Sequence, residues 1–338
     1  MSRPTVSVLL PCRNAVETLD ACLESISAQS LTAFEVIAVD DQSFDGTDGR
    51  LAETARRDER YRLFRTSQQG LVPALNLGLA QASGDLVARM DADDLMHPKR
   101  LELQQEYLRR NREIGVLGSR VRAFPEQTLS TGFREYIRWQ NGCVATSAIA
   151  RDIYFESPLA HPSVMFRRHL LARIGGYRNG PFPEDYDLWL RLHQQGVAMA
   201  KLPQTLLHWR DSDSRTSRRD PRCSRLAFDR LRAHYLAQDP RVIRNRHNLA
   251  IWGAGRNTRK RARHFLDQGY SPVAWIDIDP RKIGNRIEGV PVVDPDWLRK
   301  PHRPFVLSYV AVHGARECIE TELHRLEYIK GVNYLNVG

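Results

Sequence analysis

The chain has 338 residues, 42 % of them apolar, and a formal net charge of +10, a length that suits two domains with a core each better than one. Its apolar runs are too short to span a bilayer and it opens without an apolar signal segment, which argues against membrane-spanning and secreted classes. Five scattered cysteines (Cys12, Cys22, Cys143, Cys223, Cys318), never in a Cys-x-x-Cys pair, argue against structural zinc and predict a reducing, cytoplasmic setting.

Thr5–Leu10 reads as a buried strand, followed by Pro11, Cys12, Arg13 and Asn14, with Asn14 placed to cap a helix whose apolar stripe is Val16, Leu19, Leu23 and Ile26. Phe34–Val39 is a second strand that ends on Asp40 and Asp41, and a helix follows over 48–57. A short strand over 61–65, a helix over 71–82 and a strand over 85–90 complete the series. Strands and helices alternating at this spacing predict an α/β fold with a doubly wound, mostly parallel sheet. Such sheets bind ligands at the carboxyl ends of their strands, so Arg13–Asn14, Asp40–Asp41 and Asp91-Ala92-Asp93-Asp94 should converge on one edge.

Three acids just past a strand repel one another unless a positive group joins them. A hard divalent cation such as Mn2+ or Mg2+, sharing its shell with phosphates and water, resolves that cost. Arg13 and the helix N-terminus behind it favour phosphate, and an Asp there can accept from a base N–H or a ribose hydroxyl. Farther along, Glu184-Asp185 precedes an apolar, helix-like run. A free carboxylate there suits proton abstraction, and the competing reading is a helix cap. His161 reads either as a neighbour of that site or as a structural histidine.

The stretch from Arg215 to Arg232 is the densest in basic residues, with few aromatics and no nucleic-acid motif. A solvated helix face or contact with an anionic membrane surface explains it better than nucleic acid does. After a boundary near 239–247, Asn248–Trp252 is a fresh strand, then come Gly253-Ala254-Gly255, a helix to Asp267, and a strand ending on Asp277. This is a Gly-x-Gly turn in β-α-β context with an acid at ribose-binding spacing, but Thr258 stands where a third Gly or Ala belongs. The module reads as a degenerate Rossmann-like unit for homo-oligomerisation or acceptor docking, with retained nucleotide binding as the alternative.

Pro11-Cys12-Arg13-Asn14, Val39 to Thr47, Ser83-Gly84-Asp85 leading into Asp91-Ala92-Asp93-Asp94, His161-Pro162-Ser163, Gly175-Gly176-Tyr177 and Glu184 to Trp189 together resemble family 2 glycosyltransferases of GT-A fold. The resemblance covers about residues 4–215. It implies inverting transfer from a nucleotide-diphosphate sugar donor, with Pro11, Arg13, Asn14, Asp40 and Asp41 on the nucleotide side. It also implies Asp91 beside the ribose and the metal, Asp93 on the metal, and Asp185 as general base toward a glycan or lipid-linked acceptor. His208 becomes a candidate to complete the metal shell, although Trp209-Arg210-Asp211-Ser212 departs from the Tyr-Arg-x-His pattern common in that family. The implied layout is a GT-A domain over 1–240, with a nucleotide-binding half to about 118 and an acceptor half over 119–240, then a Rossmann-like domain over 246–338. A retired nucleotide-binding scaffold and an NAD-linked oxidoreductase are the competing functions.

Overall fold

The computed structural model describes residues 4–212, 215–299, 303–310 and 314–338. The chain divides into two compact units, one of residues 1–149 and 158–219, the other of 150–157 and 220–338.

In the first unit every residue of β1 (Val6–Cys12) and β2 (Phe34–Asp40) is buried. Strands that read as continuous apolar runs belong in the middle of a sheet covered on both faces. They pair in parallel, with Cys12 opposite Asp40, and β1 also pairs in parallel with β4 (Leu86–Arg89), placing Leu9 opposite Arg89. With β3 (Tyr61–Arg65), β5 (Leu95–Met96), β6 (Ile114–Phe124), β7 (Met165–Arg167) and β8 (Ala198–Arg210) the sheet runs β3-β2-β1-β4-β7-β6-β8-β5. β7 is antiparallel to both its neighbours and β5 is antiparallel to β8. The predicted mixed α/β architecture is therefore present.

Helices α1 (Val16–Ser27), α2 (Thr47–Arg57), α3 (Leu71–Gln81) and α4 (Arg100–Arg110) follow their strands, and α1 buries the expected Leu19, Leu23 and Ile26. Asn14 does not cap α1, because the cap position is Ala15 and Asn14 adopts φ +48°. Its side chain instead accepts from the Phe44 N–H at 3.1 Å, tying the β1 turn to the β2 turn. Gly84 is required just before β4, since a Cβ there would lie 2.8 Å from the Ser7 backbone nitrogen.

The second unit has β9 (Leu249–Trp252), β10 (Ala274–Ile276), β11 (Arg286–Ile287), β12 (Val290–Val293), β13 (Phe305–Ser308) and β14 (Tyr334–Asn336), in the order β11-β12-β10-β9-β13-β14. All pair in parallel except β11, so the five parallel strands follow the third-second-first-fourth-fifth order of doubly wound sheets. Gly253 takes φ +109° and a Cβ on it would meet Thr258 at 2.7 Å, so Thr258 packs where the third small residue of the fingerprint is expected. The boundary expected near 240 falls inside this unit. Helix Arg225–Leu236 belongs to it, through Arg261 and Asp229 at 3.4 Å and the Tyr270 hydroxyl donating to the Ala237 carbonyl at 2.6 Å.

Candidate active site

Parallel register brings the ends of β1, β2 and β4 side by side, and the three polar clusters meet at that edge as predicted. Their side chains divide into those facing inward and those left open. Pro11 is buried within β1, whereas Arg13 and Asn14 are exposed, with the Arg13 guanidinium 3.9 Å from Asp41. Asp40 is buried. It accepts from the Ser43 N–H at 3.2 Å and lies 3.4 Å from Arg65, so it holds the turn and presents nothing to a ligand. Asp41 is buried as well, accepting from the Thr66 hydroxyl at 3.1 Å and the Gly70 N–H at 2.8 Å. Its carboxylate anchors the 66–70 loop beside the ends of β1 and β2.

Past β4 the carboxylate oxygens of Asp91, Asp93 and Asp94 lie within 4.8 Å of one another, the only such group of possible metal ligands among the described residues. Asp94 is fully buried. One of its oxygens accepts from the Arg210 N–H at 2.7 Å, and the other has no hydrogen-bond partner among the described residues. Burial and the Asp91 charge raise Asp93 to about 6, and burial pushes Asp94 up further, with Asp91 and Asp93 adding to the effect. Crowded oxygens that resist ionisation together fit a hard divalent cation.

His208 does not join this group, which corrects the expectation for a third ligand. It sits opposite Leu95 in the β5–β8 ladder with its side chain exposed, and partial desolvation together with Arg122 and His97 keeps the imidazole below its usual pKa. Leu206 and Leu207 are both buried and His208 beside them is exposed, so the ring lies at the open surface of β8. Asp94 takes the third place in the group.

The other acidic motif opens α8 (Glu184–Gln194), whose cap residue is Pro183, so neither acid is the helix cap. Asp185 is partly buried, and its Oδ1 accepts from the Tyr186 N–H at 2.7 Å. Burial and the neighbouring Glu184 carboxylate raise it to about 7. The turn before α8 explains Gly-Gly-Tyr: Gly176 has φ +69°, and a Cβ there would stand 2.6 Å from the Asn76 side-chain oxygen. Asn76 grips the Tyr177 N–H and carbonyl at 2.9 Å each, while Arg191, paired to Asp187 at 2.7 Å, donates to the Gly176 carbonyl at 2.8 Å. Tyr177 is thereby held 2.7 Å from His161 Nε2, and His161 Nδ1 lies 4.0 Å from Glu184. Burial keeps His161 neutral, so it serves as a prop for this corner of the site.

The residue that sequence reasoning missed is Arg89. It is 1 % exposed at the end of β4, paired with Asp91, and its charge is felt at Asp93, Asp94, Asp185 and Tyr177. A usable signal was present, since a lone arginine in the apolar run Leu86-Val87-Ala88-Arg89-Met90 of a central strand needs acidic company.

Comparison with known proteins bears on this geometry. A family model described as Glycosyl transferase family 2 matches residues 7–175. The amylovoran biosynthesis glycosyltransferase AmsE of Erwinia amylovora is 30 % identical over 220 residues, covering 64 % of this chain and 79 % of AmsE. The Escherichia coli UDP-Gal:alpha-D-GlcNAc-diphosphoundecaprenol beta-1,3-galactosyltransferase is 29 % identical over 219 residues, covering 64 % of this chain and 78 % of the relative. The crystal structure of S. aureus TarS 1-349 in complex with UDP-GlcNAc superposes with a TM-score of 0.55 at 17 % identity, over 78 % of this chain and 72 % of that one, a likeness of fold. With a family model over half of its length and a 30 % identical relative covered over 79 % of that relative, this chain belongs to the family 2 glycosyltransferases.

Proposed function

We propose that this glycosyltransferase moves a sugar, with inversion, from a nucleotide-diphosphate sugar to an acceptor hydroxyl, using a divalent cation at Asp91 and Asp93 and Asp185 as general base. The observation that carries the reading is the group of Asp91, Asp93 and Asp94 oxygens within 4.8 Å of one another at the strand edge, with Asp185 in the first turn of a helix from the later acidic motif; burial raises both Asp93, to about 6, and Asp185, to about 7. Perturbed carboxylates of this kind mark working sites. A donor bound as a nucleotide diphosphate is in keeping with the UDP-GlcNAc held by TarS and the UDP-Gal in the name of the E. coli relative.

Mn2+ or Mg2+ would supply neutralisation of the charge that develops on the departing diphosphate. Asp91 and Asp93 would hold it, with Asp94 beneath them, and exposed Arg13 would face the phosphates from the end of β1. The acceptor oxygen forms its bond to C1 as the bond from C1 to the diphosphate oxygen breaks, and the acceptor proton passes to Asp185. A base near 7 is well matched to that step at neutral pH, and inversion requires just one such carboxylate. A glycan or lipid-linked acceptor in surface polysaccharide synthesis accords with the names of AmsE and the E. coli relative, and the +10 charge suits an anionic membrane face where such acceptors reside.

We also assign the second unit to a module that folds around its own sheet. The NAD-linked reading loses ground there, because Asp277 turns its carboxylate inward to the Ala254 N–H at 2.9 Å and to Lys282 at 3.1 Å. The experiment is a transfer assay over a panel of nucleotide sugars with Mn2+, Mg2+ or excess chelator. Turnover that chelator abolishes reversibly is expected. Nucleotide binding without any turnover would return the retired-scaffold reading.

A further inference from the structure

We propose that the helix Arg256–Leu266 of the second unit docks on an anionic phospholipid surface, through a row of arginine and lysine side chains that no carboxylate neutralises. This gives the anionic membrane suggested by the +10 charge a definite contact surface. It does not depend on the assignment of Asp185.

The helix carries Arg256, Arg259, Lys260, Arg261 and Arg263 and no acid. Arg261 turns inward with the buried Ala262 and Phe265, lying 3.4 Å from Asp229 and donating to the Tyr309 carbonyl at 3.3 Å. The other four cations are exposed, and their spacing of i, i+3, i+4 and i+7 puts them on one face. Arg263 is paired with Asp267 at 3.0 Å and Glu288 at 2.7 Å. Arg256, Arg259 and Lys260 have no acidic partner among the described residues. Helix stability does not explain them, because Arg256 and Arg259 stand in the first turn, where the helix dipole disfavours cations.

The helix Ala315–Arg325 of the same unit is composed differently. It lies on the opposite face of the sheet, because β9–β10 and β13–β14 step in opposite directions along it. There Arg316 pairs with Glu317 at 2.9 Å, Arg325 with Asp296 at 3.3 Å, and Lys330 with Glu320 at 2.8 Å. One face is balanced and the other is left positive.

A groove of about 660 Å³ opens beside the basic helix, lined by Arg259 and Lys260 and, from β11, by Arg286. Tyr270 and Trp275 also line it, but at 6 % and 3 % exposure neither ring stands free for a nucleobase to stack on. The loop that follows the helix instead presents Val273, an apolar side chain 37 % exposed. Arg246 reaches the same loop, its guanidinium 4.9 Å over the Tyr270 ring and donating to the Gly269 carbonyl at 2.7 Å. Unneutralised cations beside an exposed apolar group suit phosphate headgroups with acyl chains beneath them, and guanidinium forks take phosphate oxygens in pairs.

Cosedimentation of the full chain with phosphatidylcholine vesicles, with and without phosphatidylglycerol, tests the proposal. The parent should pellet only where phosphatidylglycerol is present, and added salt should release it. R256Q/R259Q/K260Q should lose about 100-fold in partitioning, since each cation near an anionic surface contributes roughly fivefold. R56Q/R109Q/R112Q removes as much charge from exposed positions of the first unit and should stay within about fivefold of the parent. A parent that remains in the supernatant, or an equal loss in both triple variants, would overturn the proposal. Gel retardation of RNA by a parent that ignores the vesicles would assign the face to nucleic acid instead. Should R256Q/R259Q/K260Q melt far below the parent, R259Q/K260Q is read in its place, with a loss of about 25-fold expected. Transfer to a water-soluble acceptor should be unchanged in these helix variants, so failure here is distinguishable from failure of the transferase reading.

Discussion

Asp185→Asn removes the proposed base while keeping size and one hydrogen-bonding oxygen at the start of α8. Burial and Glu184 hold this carboxyl at about 7 instead of its ordinary 3.8, so the folded protein carries an energetic penalty for ionising it. That difference corresponds to on the order of 1–4 kcal/mol, the upper figure being the full linkage value and the lower one allowing for partial exposure. The sign follows from proton binding. The folded state binds more protons than the unfolded chain between pH 4 and 7, so the ionised group destabilises at pH 8 and does not at pH 4. Losing a negative charge at a helix N-terminus costs about 0.3–1 kcal/mol in the opposite sense, and is the smaller effect. D185N should therefore melt several degrees above the parent at pH 8, with the gain gone by about pH 4, while turnover drops by about 10²-fold or more. In the parent, turnover should rise with pH and level off above about 7. Calorimetric melting at the two pH values, together with a transfer assay, reads both effects. Turnover within tenfold of the parent, or a lower melting temperature at pH 8, would refute the reasoning and return Asp185 to a structural role.

Asp93→Asn should remove most Mn2+ affinity in direct titration calorimetry, and parent affinity should fall below about pH 6, where protons compete for Asp93; equal affinity at pH 5 and 8 would contradict the site. His208→Ala should leave Mn2+ affinity within about twofold, because the imidazole lies outside the carboxylate group. A tenfold loss would bring His208 back as a ligand. A chain cut after Gln238 should aggregate or melt well below the full chain, since it uncovers Ala227, Leu231 and Tyr235 on the helix that packs within the second unit. A monodisperse, cooperatively melting product would place that helix with the first unit.

The sheet and the site were legible to different degrees for identifiable reasons. Continuous apolar strands alternating with amphipathic helices leave one plausible arrangement, and strand ends at a common edge then follow from chain direction. Local sequence also announces an acid that faces a neighbouring acid, as at Asp91–Asp93 and Glu184–Asp185. It does not announce what a lone strand-end carboxylate meets. Asp40 and Asp41 look alike as sequence, and both prove to be fastened to the backbone or side chains of Ser43, Thr66 and Gly70, contacts set by how two loops return. His208 could not be placed from sequence, because β8 buries Leu206 and Leu207 in succession there and simple alternation does not say where the next side chain lies. The 240 boundary fell to a similar ambiguity, because an amphipathic helix shows that it has a partner without saying which.

Arg89 shows how far such reading extends once charge is treated as a constraint. Asp91, Asp93 and Asp94 lie within 4.8 Å of one another and cannot all ionise there without positive charge, and Glu184 in the same way opposes ionisation of Asp185. On the proposed function, a divalent cation would answer for the first three. Asp91 is paired with Arg89, and Asp93 and Asp94 are raised, so a cation held by them would displace protons as well as water. The pairing of a buried guanidinium with Asp91 accounts for an arginine in the middle of an otherwise apolar strand.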